Sequence, residues 1–549
     1  MEGERTYSSL DIHFARFLAA RSGLCGEDEK RFYEVVARLS EAMSSGHSCL
    51  PLSEDEQDLL KATHLVSECG QTPLIVSSSR LYLNRYFHYE SRLAIQIKKM
   101  ATVSYGRANK SLELLDHYFG KDHQETDWQK IAAETALEKG LTIISGGPGT
   151  GKTSTVSKII VLLLQTVDHK LKIALTAPTG KAAMRLQLSI GGSIDTLACP
   201  DEIRQFIPRE AMTLHRLLGV NRNSVRFRHN SENTMSWDVV IVDEASMVDL
   251  ALMSKLVDAL KPDSRLILLG DKDQLTSVES GAVLAECIDG LPQNTVELQK
   301  TYRFDANIKG LAESINKGDL PQVWATLQDT GKTNVNLLDA HVYSHSGERY
   351  ARYMEKVKNV KEIGMRAVFS AFADFQVLCS MHYGVRGVIG INRGVEFYLS
   401  RKGFECRPDN WYAGRPVLVT RNDYSLGLYN GDIGICIADP ADSRLKVWFE
   451  RGDGTLMKFL PYRLPKCETA FAITIHKSQG SEFKEVLVVL PKEDNRILCR
   501  ELLYTAVTRA SRRVMVAADK YIMELGLSRR ILRYSGLAGQ LHQMDPDET

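Results

Sequence analysis

The run Leu141-Thr142-Ile143-Ile144-Ser145-Gly146-Gly147-Pro148-Gly149-Thr150-Gly151-Lys152-Thr153-Ser154 has two halves. Its first five residues are short and mostly apolar, as expected of a parallel strand buried on both faces. From Gly146 to Thr153 the chain matches G-x-x-x-x-G-K-[ST], a phosphate-binding loop. Glycines let backbone N–H groups curl around phosphate oxygens with no Cβ in the way. Lys152 is placed to reach the β- and γ-phosphates of a nucleotide, and the Thr153 hydroxyl to ligate Mg²⁺. The helix predicted to open here adds the positive end of its dipole. Gly146, Gly147, Pro148, Gly149, Thr150, Gly151, Lys152, Thr153 and Ser154 are therefore the expected nucleotide cradle.

Outward from this loop, three further apolar runs end in polar residues: Lys172–Thr176, Val239–Glu244 and Arg265–Asp271. Helical stretches lie between them, at Thr153–Leu164 and Ala182–Leu188. Strand–helix alternation predicts an open α/β sheet. Val239–Val242 delivers two carboxylates at its end. Asp243 is the expected metal ligand, and Glu244 the group that polarises an attacking water. These residues predict a nucleoside triphosphatase using ATP and Mg²⁺. Hydrolysis also needs a positive group for the charge developing on the γ-phosphate, to be sought downstream.

A second series of strands is expected at Phe375–Cys379, Glu485–Leu490 and Val514–Ala518, in a second α/β domain after about Asp305. Within it, Trp411–Lys466 is rich in short β pieces split by turns such as Asn430-Gly431-Asp432. The first ~120 residues read as helical, with apolar residues at helical spacing in Glu29–Met43 and Arg92–Met100.

Composition bounds the rest. With 549 residues, 44% hydrophobic and 25% charged, the chain has the make-up of a globular protein of several domains. The longest clean apolar run is Ile159–Leu164, far short of the ~20 residues of a membrane helix. Ten cysteines form no CxxC pair, which fits a reducing intracellular compartment rather than a zinc ribbon or redox motif. A net charge of +1 argues against a bulk polycation but leaves room for a local basic groove.

The ordered motifs resemble those of superfamily-one helicases over nearly all of residues 128–520. Gln129 resembles the glutamine that reads adenine. Thr176-Ala177-Pro178-Thr179-Gly180-Lys181-Ala182-Ala183 resembles a motif holding single-stranded DNA. Asp243-Glu244-Ala245-Ser246 resembles the acidic motif, and Gly270-Asp271-Lys272-Asp273-Gln274-Leu275 the one coupling nucleotide state to DNA. Leu298–Arg303 is similar to a motif whose arginine touches the γ-phosphate. Thr474–Phe483 is similar to one shared between DNA and nucleotide, and Tyr504–Ala510 to the last, which carries an arginine finger.

The resemblance implies catalytic roles for Lys152, Glu244, Gln274, Arg303 and Arg509, with Gln129 and Glu482 added to the nucleotide site. It implies DNA contacts by Thr176, Thr179, Lys181, His215, Thr474 and His476. The basic stretch Asn221–His229 reads as a strand-separating hairpin, a DNA-facing loop or a solvated surface loop.

Thr213–Gly219, Val242–Asp249 and Leu428–Gly434 narrow the likeness to the RecD family, alpha chains of exodeoxyribonuclease V. Cys49–Leu52 and Leu81–Tyr86 resemble the front domain of that family. The implied fold is α/β. Two RecA-like parallel-sheet motor domains are joined by a helical N-terminal domain and a small β-barrel-like insertion. The expected divisions are a partner-docking domain at 1–115 and a first motor domain at 116–305. The second motor domain is split into 306–410 and 467–549 around an insertion at 411–466.

The implied function is a bacterial, cytoplasmic ATP-dependent helicase moving 5′ to 3′ on single-stranded DNA. It would unwind double-strand ends for recombinational repair beside RecB-like and RecC-like subunits in a heterotrimer, with the nuclease in a partner. Two rival readings are a stand-alone relative and a non-motor regulatory subunit that merely binds ATP.

Overall fold

The computed structural model describes residues 7–106, 109–121, 126–167, 170–221, 224, 226–277, 279–300, 305–331, 333–338, 341–423, 425–451 and 454–543, with the side chains of 109, 110 and 543 set aside.

The run Leu141–Ser145 is a strand, fully buried, inside a six-stranded parallel sheet. Its neighbours are Thr295–Glu297 on one side and Arg265–Gly270 on the other, followed by Val239–Val242, Ile173–Ala177 and Ala211–Thr213. Helices cover both faces. One side holds Trp128–Glu138, Lys152–Thr166 and Gly180–Thr196, and the other holds Leu250–Asp258 and Val283–Gly290. Burial on both faces is why these strands are nearly continuous apolar runs.

A second parallel sheet runs Val335–Leu337, Ala510–Ala517, Phe483–Val489, Phe375–Cys379, Ala472–Thr474. Helix Ala306–Lys317 packs on Arg500–Val507 beneath it. Between Phe375–Cys379 and Ala472–Thr474 the chain makes a five-stranded antiparallel sheet. The strands run Leu456–Phe459, Leu445–Glu450, Ile433–Ala438, Pro416–Val419, Cys467–Thr469, and the two end strands are not paired with each other among the described residues. Where a barrel-like insertion is expected, the described strands form a sheet without closure between its ends.

The N-terminal domain is helical, led by Ser9–Ala19 and Glu27–Ser44, but it also holds a small sheet. Its strands are ordered Leu50–Pro51, Arg80–Leu83, Leu74–Ser77, Val66–Ser67. The helix ends are sealed locally: Ser8 with Asp11, and Ser53 with Glu56, form capping boxes.

The packing also departs from the expected divisions at two places. Helix Asn84–Thr102, placed with the N-terminal domain, sends Leu93, Ala94 and Ile97 into the core of the first motor sheet. Helix Leu537–Gln543, placed with the second motor domain, instead packs on Val283–Gly290 and Asn84–Thr102.

That returning segment is tied down by one buried carboxylate. Glu90 accepts hydrogen bonds from the Ser48 and Ser535 hydroxyls at 2.8 Å each. The Tyr82 hydroxyl, the Gly536 N–H and the Gln540 amide each donate to it at 3.0 Å. Three parts of the chain thus converge on a single carboxyl group, as the burial of a polar group requires, and that burial raises it above the ordinary carboxylate range.

Glu286 lies beside this node, and its Oε2 is buried with no hydrogen-bond partner among the described residues. Burial pushes the Glu286 carboxyl up to about 7, with Ser535 opposing and the charge of Glu90 reinforcing the shift. A carboxyl raised in the fold holds its proton longer than in the unfolded chain. Its contribution is therefore full at low pH and lost as pH rises through about 7. Glu286→Gln removes that loss. Its melting temperature should gain on the parent chain between pH 5 and pH 8, by a free energy on the order of 2–3 kcal/mol. A gap that stays constant across this range would show that Glu286 does not titrate there.

Candidate active site

The phosphate loop leaves the end of Leu141–Ser145 and turns into helix Lys152–Thr166. Gly149 and Gly151 sit at φ +79° and +87°, a region costly for any residue with a Cβ. A Cβ on Gly147 would lie 3.0 Å from the Tyr504 hydroxyl of the second motor domain, so the loop is already closely approached from across the cleft. The Thr150 hydroxyl donates to Gly147 O at 2.8 Å, and the Lys152 ammonium donates to Gly146 O at 2.5 Å and Gly147 O at 3.1 Å. Gln129 donates its side-chain amide to Thr150 O at 3.2 Å, which ties it directly to the loop. Thr153, the second residue of the helix, is part-buried, and Ser154 beside it is exposed.

Asp243 and Glu244 follow strand Val239–Val242 toward this loop. Burial pushes the Asp243 carboxyl up to about 6, the adjacent Glu244 charge adds to it, and Lys152 pulls it back. The Asp243 Oδ1 accepts the Glu244 N–H at 2.9 Å. Glu244 itself is left-handed at φ 52°, a backbone cost of order 1–3 kcal/mol for a residue other than glycine.

The second motor domain completes the site. Arg509 is buried, and its guanidinium donates to Gln274 Oε1 across the cleft. The same guanidinium reaches Thr505 O at 3.2 Å and Ser481 O at 3.3 Å. Gln274 in turn donates to Asp271 Oδ2 at 2.9 Å, and Tyr504 donates to that same oxygen at 3.1 Å. Burial raises the Asp271 carboxyl, while Lys152 and these hydrogen bonds hold it down. Burial likewise lowers the Arg509 guanidinium from its ordinary value, with Glu244 opposing. The Leu275 backbone is clamped from the same side: its N–H donates to the Thr505 hydroxyl at 2.9 Å and its carbonyl accepts the Gln479 amide at 3.0 Å.

Glu482, expected at the nucleotide, pairs with Arg185 of the first motor domain at 2.7 Å. Asp271, Tyr504 and Arg185 are thus brought into the candidate site by contacts beyond those expected. Arg303 lies outside the described residues.

The expected DNA residues divide. Thr176 is fully buried, and its hydroxyl donates to Ile241 O at 2.8 Å. It is a strand-to-strand tie in the sheet core, and its side chain is not open to DNA, contrary to expectation. Thr179 caps helix Gly180–Thr196 by accepting the Ala182 N–H. Burial lowers the Lys181 ammonium to about 8, with Asp432 of the insertion pulling it back up. From the same insertion turn, the Tyr429 ring sits over Gly180, 3.0 Å from where a Cβ would be.

His215 is exposed, edge-on to Phe227 at 5.7 Å. Of the stretch 221–229, residues 222, 223 and 225 lie outside the described ones, and Phe227 packs against the first motor core. Thr474 and His476 lie at the carboxyl end of strand Ala472–Thr474, part-buried, and burial lowers the His476 imidazole, favouring its neutral form. No described helix is long and apolar enough to cross a membrane.

Three family models match parts of the chain. An AAA domain matches residues 129–280, a UvrD-like helicase C-terminal domain 469–517, and the N-terminal domain of RecBCD enzyme subunit RecD 4–62. RecBCD enzyme subunit RecD of Mycolicibacterium smegmatis is 37% identical, over 97% of this chain and 97% of that protein. The ATP-dependent RecD2 DNA helicase of Deinococcus radiodurans is 29% identical, over 93% of this chain and 68% of its own length. Among solved structures, a Bacteroides Pif1 helicase in complex with ADP-AlF3 and single-stranded DNA is 17% identical with a TM-score of 0.41, covering 73% of this chain and 94% of that one.

Proposed function

The chain belongs to the RecD family of RecBCD enzyme subunits, and from that premise we propose how its residues run an ATP-driven DNA helicase. The observation that carries the reading is the hydrogen-bonded series Arg509–Gln274–Asp271–Tyr504, which crosses the cleft twice beside Lys152. A nucleotide held there is touched by both motor domains. Its binding and loss then change how the domains sit together.

In this mechanism the loop N–H groups and Lys152 hold the β- and γ-phosphates. Glu244 orients and polarises the attacking water. Arg509 stabilises charge on the γ-phosphate as it transfers. Gln274 holds Arg509 and Asp271 in register, so the arginine's position reports on the first domain. Thr153 and Asp243 fit Mg²⁺: both offer oxygen, and such a site needs only one or two protein ligands beside the phosphates. The raised Asp243 carboxyl is the group that a neighbouring cation would relieve. When bound, the ion supplies neutralisation of phosphate charge.

Thr179, Lys181, His215, Thr474 and His476 are assigned to the single strand, through phosphates and base faces rather than sequence. Movement is assigned 5′ to 3′, in the bacterial cytoplasm, within a heterotrimer with RecB-like and RecC-like subunits that supply the nuclease. Double-stranded DNA ends are its substrate.

The test is ATP hydrolysis by the purified chain with and without single-stranded DNA. Strong stimulation is expected, and Lys152→Ala should lower the stimulated rate by ~10²-fold or more. Hydrolysis indifferent to DNA in a folded, ATP-binding chain would favour a regulatory subunit. Retained turnover in the Lys152 variant would remove the loop from the mechanism.

A further inference from the structure

The loop 380–387 leaves strand Phe375–Cys379 at the carboxyl end of the second motor sheet and leads into helix Val388–Arg401. The neighbouring strand ends at Thr474, and the two exits are tied where the Ile475 N–H donates to Cys379 O at 3.0 Å. His382 of the loop and Lys477 both face Glu468, at 3.7 and 2.9 Å. His382, Thr474 and Lys477 line one small cleft. The loop and the rim assigned to the single strand are therefore one continuous surface.

On that surface two apolar side chains stand out into solvent: Tyr383 is 73% exposed and Val385 74%. The backbone that presents them is held. The Tyr343 hydroxyl donates to Val385 O at 2.8 Å, and the Gly387 N–H to Gly384 O at 3.1 Å. The Val388 and Ile389 N–H groups donate to Met381 O and His382 O at 3.1 Å each. Arg386 anchors the far side on Leu490 O at 3.4 Å. The Tyr383 ring lies edge-on to the His382 imidazole, centroids 4.7 Å apart. An aromatic face presented by a braced turn matches what a single strand offers, because every base has a π-face to stack.

We propose that Tyr383 is a base-stacking platform at the second motor domain's end of the single-strand track. The inference rests on the assignment of Thr474 and His476 to that track. Stacking of a base is indifferent to sequence, as a motor that steps along any strand requires.

The experiment measures binding of the full-length chain to a fluorescent oligothymidylate and to an abasic oligonucleotide with the same number of phosphates. Tyr383→Ala should weaken oligothymidylate binding roughly 10-fold, leave abasic binding unchanged and keep the salt slope, since no phosphate contact is lost. Tyr383→Phe should restore the affinity, and the melting transition of each variant checks the fold. Equal loss on both oligonucleotides, or no loss on oligothymidylate, overturns the proposal. So does intact DNA binding with weakened capture of the partner subunits, which would assign the ring to a protein interface. Thr474→Ala and His476→Ala separate the two levels. If they weaken binding and Tyr383→Ala does not, the platform fails alone; if they too have no effect, the track assignment fails.

Discussion

Glu244→Gln is expected to keep ATP binding and to slow turnover by ~10²–10⁴-fold. The substitution preserves shape, and the left-handed backbone at φ 52° is unchanged by it, so the strand end should keep its geometry. What disappears is a charge. That charge raises the neighbouring Asp243 carboxyl, and in the proposed mechanism it also polarises the attacking water. Removing it lets Asp243 ionise more readily, which favours the nucleotide with its cation. Binding should therefore hold or tighten while hydrolysis stalls. Titration with a fluorescent ATP analogue reads the first effect and single-turnover phosphate release the second. Turnover within tenfold of the parent chain would exclude Glu244 as the group that activates water.

Much of this arrangement was legible in the residues, and the exceptions share a cause. Leu141–Ser145 and Phe375–Cys379 are read to the residue because both are buried along their whole length, so hydrophobicity alone bounds them. Ala211–Thr213, Thr295–Glu297, Val335–Leu337 and Ala472–Thr474 escape notice. Each is three residues long and is a strand only because a longer neighbour pairs with it. The N-terminal sheet is hidden for a related reason. Its hairpin turns through Ser78 and Ser79, at φ 47° and 57°, without the Asn-Gly or Gly that ordinarily marks such a turn.

Thr176 is buried inside the sheet because the strand runs one residue further than its polar end suggests, to Ala177. In the nucleotide site, the residues on the phosphate loop carry a local pattern. Asp271 and Tyr504 carry none as individuals: each lies inside a longer motif, and the two meet only across the cleft, 233 positions apart. Arg185 is the same case, an ordinary helix-face arginine until Glu482 of the other domain comes within 2.7 Å. Local chemistry is written in spacing, whereas contacts between domains are written only in the fold.

Arg509 provides the sharpest test of whether those contacts run the motor. Arg509→Lys is expected to lower DNA-stimulated turnover by ~10³-fold or more, with the KM for ATP changed far less. Lysine keeps the positive charge. It cannot reproduce the planar fork that at once reaches Gln274, Thr505 O and Ser481 O, and it cannot keep that geometry while facing a γ-phosphate. If the arginine acts only as the charge in transfer is spread, the loss falls on kcat. Gln274→Ala should then give a smaller loss of the same kind, because it removes the group that aims the guanidinium. Combining the two should add little to the arginine substitution alone, as residues acting as one unit do. A structural tie would behave otherwise. The lysine variant would melt earlier, turnover per folded molecule would stay within tenfold, and the two substitutions would add. That pattern would leave the cleft held together by Arg509 but would move the catalytic charge elsewhere.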